Sequence, residues 1–239
     1  MIFIDCREGV SSDMLLSAML ALADYTQRRG LIERLVTSAR ANDVGMSVVE
    51  IEDAGDRGLG ISYTPAEARH GTPYREAASI LSRISASLGS GGDLAMRILD
   101  EIARAESTVH GETLDDLHLH EVGRREALIT LAGIGFVRSA VAPPDEEFIC
   151  STITTGKGVV VVSHGPVRVP APAARVLLEG LRHVEGPDPG ERATPSGIAA
   201  LKTIVSGQSD DIPNAKLVGF GFGTRRFGGR LGRVRLLQT

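Results

Sequence analysis

The sequence predicts an α/β chain, with a mixed α+β arrangement as the alternative, in which a mixed sheet carries flanking helices. Short apolar runs bounded by turn residues, such as Met1–Ile4 and Phe148–Ile153, alternate with stretches of helical periodicity such as Leu94, Ile98, Leu99 and Ile102. At 239 residues the chain has ample surface to bury in a core. A break at Pro143-Pro144-Asp145-Glu146 reads as a domain boundary or a long surface loop. It suggests two subdomains, 1–142 and a strand-rich 143–239.

Taken in order, Met1–Ile4 is a short strand with Asp5 at its end, where the chain leaves the sheet. Gly9, Ser11, Ser12 and Asp13 then lead into a helix from Met14 to Leu20, with Ser or Asp as its N-cap. A strand, a polar loop and a helix N-terminus make an anion or cation site conceivable; capping alone explains the same residues. A helix over Leu31–Arg40 precedes strands at Ser47–Ile51 and Gly60–Tyr63, which flank the turn Asp53-Ala54-Gly55-Asp56. His70 falls in the loop that follows. Pro73 opens a helix that runs to about Leu88, Gly89-Ser90-Gly91-Gly92 ends it, and a second helix closes at His110-Gly111. There His110 either favours the helix dipole or serves as a ligand.

Glu126–Phe136 reads as a short helix, and the run Val159–Val162 as a buried sheet interior that delivers His164 to its end. The prolines of Val169-Pro170-Ala171-Pro172 turn an extended segment into a helix. Thr194-Pro195-Ser196-Gly197 opens another, with Thr194 as N-cap and Pro195 at the first helical position. Gly219, Gly221 and Gly223 alternate with Phe220 and Phe222, so a strand there has one bare face and one aromatic face. The bare face admits a ligand or another backbone.

Composition narrows the function classes. A net charge of −4 argues against a general nucleic-acid surface. From Lys216 onward, however, Arg225, Arg226, Arg230, Arg233 and Arg235 stand without one carboxylate, as a solvated edge strand or an anion site. Cys6 and Cys150 are too few and too distant in sequence for a disulfide framework, which points to a reducing compartment. No leader-like start or membrane-length apolar run is present, so the expected location is the cytoplasm, without a membrane.

The stretch with the most chemistry is His118-Leu119-His120-Glu121-Val122-Gly123. Extended backbone puts both imidazoles on one face and Leu119 in the core, and Gly123 lets the Glu121 carboxylate swing back. Two imidazoles and a carboxylate suit nickel or zinc; the same residues also suit the wet face of a half-buried strand. The expectation is a cleft that joins Asp5, Asp13, His118, His120 and Glu121, with His110 and His164 as further ligands.

Five segments, in order, resemble the LarC nickel-insertion family. They are Asp5-Cys6-x-x-Gly9-Val10-Ser11-x-Asp13-Met14, Ala105-Glu106-x-x-Val109-His110-Gly111, the His118–Gly123 stretch, Ser163-His164-Gly165-Pro166-Val167-x-Val169-Pro170-Ala171-Pro172-Ala173, and Glu191-x-x-Thr194-Pro195-Ser196-Gly197. The resemblance implies a cytosolic protein that inserts Ni(II) into a pyridinium bis-thiocarboxylate mononucleotide, the cofactor of lactate racemase. It implies a nickel chelatase coupled to CTP hydrolysis with a divalent ion, Mg(II) or Mn(II), at a C-terminal nucleotide-binding domain. The chain resembles the N-terminal module alone, which implies that it inserts nickel only with a separate C-terminal nucleotide-binding partner chain, or not at all. On this reading Asp13 and Glu121 are catalytic, His118, His120, Glu121, His110, His164 and Asp5 hold metal, and Ser11, Thr194, Ser196 and Arg225 hold the mononucleotide.

The sequence departs from the family at Ser12, where the family has glycine, and at Arg7-Glu8, where it has an aromatic-serine pair. After Gly123 the family continues Ala-Val-Asp-Ser-Ile-x-Asp. Arg124, Arg125, Glu126 and Thr130 here lengthen one carboxylate and remove another. A His-rich loop is reduced to His70. Two other readings follow: a non-catalytic metal-binding or assembly subunit, and a metal-dependent hydrolase or phosphotransferase.

Overall fold

The computed structural model describes residues 1–64, 71–162, 165–211 and 215–239. Its first half runs β1 (Ile2–Asp5), α1 (Ser12–Leu20), α2 (Tyr25–Arg40), β2 (Gly45–Asp53), β3 (Asp56–Thr64), β4 (Thr72–Pro73), α3 (Tyr74–Leu88), α4 (Gly92–His110), β5 (His118–Leu119) and α5 (Arg125–Val141). The second runs β6 (Phe148–Cys150), β7 (Ile153–Lys157), β8 (Val159–Val162), β9 (Gly165–Arg168), α6 (Pro172–Leu178), β10 (His183–Pro189), α7 (Pro195–Ile204), β11 (Gly207–Gln208), β12 (Lys216–Phe227) and β13 (Arg230–Gln238).

Seven strands form a mixed sheet in the order β11-β6-β1-β13-β12-β3-β2. The α/β expectation therefore holds, and the sheet takes strands from both sides of Pro143-Pro144. Helix α1 packs on β12, β3 and β13; α5 lies against α1, α3 and α4, and α6 and α7 pack on α4. Leu15, Leu16 and Met19 of α1 are fully buried, each worth roughly 1.5–3 kcal/mol of burial free energy.

The bare face of β12 receives a backbone. A Cβ on Gly221 would collide with the Met14 carbonyl and lie 2.6 Å from the Ala18 amide nitrogen, so only glycine lets α1 come this close. On the other face Phe220 and Phe222 stack, with ring centroids 5.9 Å apart.

Local signals located most elements, and tertiary packing set their lengths. Asp24 caps α2 by accepting from the Gln27 amide at 2.9 Å, which starts that helix at Tyr25 rather than Leu31. Helix α5 extends to Val141 because its apolar residues are covered on nearly every side. Gly89 and Gly111 end α3 and α4 in left-handed conformations, as expected.

Two expectations are corrected. The valine run is not sheet interior: among the described residues β8 pairs only with β9, in a hairpin where Val159 is 59% and Val161 82% exposed. A string of β-branched residues specifies a strand but not what covers it. The basic tail is not an edge strand, since β12 and β13 lie in the middle of the sheet. Carboxylates from the first half of the chain pair with three of its arginines. Arg233 meets Glu8 at 3.0 Å and Asp56 at 2.7 Å, Arg226 meets Asp53 at 2.8 Å, and Arg235 meets Asp5.

Candidate functional site

The site grows from the loop between β1 and α1. Asp5 ends its strand with its carboxylate on Arg7, at 2.7 and 2.8 Å, and on Arg235. Burial pushes the Asp5 carboxyl upward, but the arginine bonds more than offset this and hold it below the usual carboxylate range. The chain then turns at Gly9, whose φ of +102° and close approach to the Arg192 carbonyl both require glycine.

Val10 and the segment before α7 run side by side. The Val10 amide donates to the Arg192 carbonyl and the Thr194 amide to the Val10 carbonyl, each at 2.9 Å. This pairing sets the N-termini of α1 and α7 next to each other, with the Ser12 and Ser196 hydroxyls 3.0 Å apart. Thr194 caps α7, accepting from the Gly197 amide at 3.2 Å, and its hydroxyl lies 3.3 Å from that of Ser196. At α1 the expected cap is absent: the Ser11 hydroxyl donates instead to the Asp13 carboxylate.

A cavity of about 130 Å³ opens between these helix ends and β12, lined by Ser11, Asp13, Glu191, Thr194, Thr224 and Arg225 among others. Burial raises the Asp13 carboxyl, and the bonds from Ser11 and the backbone amides only partly offset it. Burial also raises Glu191, Arg225 opposes the rise, and the nearby charge of Glu121 adds to it. Electrostatics thus link the His-Glu segment to the cavity.

In that segment Leu117 and Leu119 are buried, His118 is exposed and His120 half-buried, so the predicted alternation is present. The imidazoles have different surroundings. His118 Nδ1 lies 3.0 Å from the Asp116 carbonyl, whereas the His120 ring lies 6.3 Å from that of His110, tilted by 47°. His110 Nε2 is 3.5 Å from Glu106 one turn back, and Glu121 lies 3.4 Å from Arg124.

The structure therefore brings Ser11, Asp13, Thr194, Ser196 and Arg225 together, puts Glu121 within electrostatic reach of Glu191 on the same cavity, and puts His110 near His120. Asp5 stands with Arg7 and Arg235. His70 and His164 lie outside the described residues. Among the described residues no group of three or more His, Cys, Asp or Glu side chains is placed to hold a metal ion.

Sequence reasoning assigned no role to Glu191 or Tyr63. Glu191 lay inside a quoted motif, but nothing in its spacing signals a cavity wall. The Tyr63 hydroxyl donates to Thr130 Oγ1 at 2.7 Å, because Thr130 spends its own proton on the Glu126 carbonyl at 2.8 Å. Thr130 is where the resemblance expects an aspartate. Burial drives the Tyr63 phenol well above its ordinary value, and the charges of Asp13 and Glu126 add to this.

Fold and cavity define an α/β protein with a small cavity where two helix N-termini meet its central strands. The chain belongs to the nickel insertion protein family, whose pattern matches residues 2–239. It is similar to the pyridinium-3,5-bisthiocarboxylic acid mononucleotide nickel insertion protein of Staphylococcus saprophyticus, at 28% identity over 95% of this chain and 56% of that protein. The protein of the same name from a Thermotoga species is 30% identical over 93% of this chain and 57% of its own length. A putative nickel insertion protein of Geotalea daltonii is 29% identical over 99% and 60%. The chain thus spans well under two thirds of these relatives. No solved structure matches it. No helix among the described residues is long and apolar enough to cross a membrane.

Proposed function

We propose that this chain binds a pyridinium bis-thiocarboxylate mononucleotide and delivers Ni(II) to it as cargo. The observation that carries the proposal is family membership over residues 2–239, in a chain whose cavity gathers Ser11 and Thr194 from two of the motif segments beside Arg225 of β12. Ser11, Thr194, Ser196 and Arg225 receive the phosphate, where hydroxyls, helix N-terminal amides and a guanidinium favour an anion. His110, His120 and Glu121 receive the metal, with His118, Asp5 and, from its motif, His164 as further candidate ligands.

Transfer exchanges nitrogen and oxygen donors for two sulfur donors without a redox change, in the direction soft-ligand preference favours. Asp13 and Glu121 flank the path and supply the negative charge that draws the ion across. CTP with Mg(II) or Mn(II) drives the reaction from a nucleotide-binding domain, in the cytoplasm. A second reading, a metal-binding or assembly subunit without turnover, is favoured by Thr130 in place of the expected aspartate; it predicts nickel binding but no CTP hydrolysis when partner, substrate and nickel are supplied.

Equilibrium dialysis with nickel tests the proposal. Wild type is expected to retain the metal, and the double variant His118→Ala/His120→Ala to lose most of it. Equal, negligible binding in both sinks the metal role.

A further inference from the structure

We propose that Glu191 recognises the positive charge of the ligand's ring, so that the cavity selects a mononucleotide whose base is a permanent cation over one whose base is uncharged. This rests on the reading of the cavity as the mononucleotide site. Glu191 stands in the cavity wall, half-buried, and among the described residues its carboxylate has no hydrogen-bond or ion-pair partner. Its charged neighbours are Arg225 and Glu121.

Asp13, on the same wall, differs. Its oxygens already accept from Ser11 and from the amides at the start of α1, so it is committed to the fold. Glu191 is the carboxylate left with acceptor capacity toward the cavity. Arg225 offsets only part of the cost of withdrawing this carboxylate from water, and a ligand that brings a fixed cation offsets more of it. A neutral ring does not.

The charges at the cavity suit a ring cation. In a pyridinium mononucleotide the phosphate, the ring nitrogen and the ring substituents follow one another. Arg225 and Glu191 line the cavity together and offer a cation for the first and an anion for the second, and the charge of Glu121, next in sequence to His120, acts on Glu191. The recognition is electrostatic and involves no bond-making step.

The test is calorimetric titration of the chain with nicotinate mononucleotide, a pyridinium, and with its 1,4-dihydro form, in which the ring nitrogen is neutral. Wild type is expected to prefer the pyridinium by roughly tenfold. Glu191→Gln, which keeps shape and removes charge, is expected to erase the preference and leave affinity for the dihydro form unchanged; Arg225→Ala weakens both. Equal wild-type affinities, or a preference that survives Glu191→Gln, overturn the charge recognition alone. Binding of neither form overturns the mononucleotide reading and this inference with it. Nickel alone held by wild type and lost in Glu191→Gln overturns it too, by making Glu191 a metal ligand.

Discussion

Asp5 and Arg235 face each other as cross-strand partners in the antiparallel β1–β13 pair, and Arg235 Nε donates to Asp5 Oδ2 at 2.9 Å. The first strand is thereby tied to the last through a carboxylate only 2% exposed, with Arg7 closing from the other side. Asp5→Asn is expected to destabilise the fold by about 2 kcal/mol, less than a fully buried pair because both arginines are partly solvated. Urea denaturation at neutral pH measures it. The Asp5 carboxyl is held below its unfolded value of 3.8, so its contribution is complete above that pH and is lost as pH falls through the lower folded value. The variant should lack this part of the acid dependence.

Gly221 sets the distance between α1 and the sheet. Gly221→Ala is expected to cost about 3 kcal/mol, because the added methyl meets helix backbone rather than a movable side chain. Displacing α1 also displaces Ser11 and Asp13, so the same variant should lose mononucleotide affinity. A thermal melt together with titration checks both; an unchanged melting temperature contradicts the packing argument.

The Tyr63–Thr130 bond makes a double-mutant prediction. Thr130→Val leaves a buried phenol hydroxyl without its acceptor and is expected to cost about 1–3 kcal/mol. Removing both partners in Tyr63→Phe/Thr130→Val should recover much of that loss. Additive losses in chemical denaturation would refute the coupling.

Val161, for all its β-branched neighbours, projects into solvent. Val161→Thr is expected to change stability by no more than about 0.5 kcal/mol. A loss of 2 kcal/mol or more, the scale of a buried site, would show that the hairpin is covered.

Much of the fold was legible because its signals are local. Thr194-Pro195 opened a helix, Gly89 and Gly111 closed two, and the Gly-Phe alternation identified a strand with one bare face, each from the chemistry of a few adjacent residues. The candidate site was legible in parts. Ser11, Asp13, Thr194, Ser196 and Arg225 could be named singly, but their meeting depends on the Val10 and Thr194 backbones pairing across more than 180 residues, which no local pattern encodes.

The sequence by itself determined the α/β class, the Thr194 cap, the glycine stops at Gly89 and Gly111, and the ordered motifs that identify the family. The tertiary structure decided where charges and apolar runs end up. It gave the basic tail to Asp5, Asp53, Glu8 and Asp56, left the Val159–Val161 face in water, and turned Glu191 into the cavity. The physical reason is that propensity and capping act within a few residues, whereas burial and Coulomb interaction depend on distance in space, which only the assembled sheet and helices define.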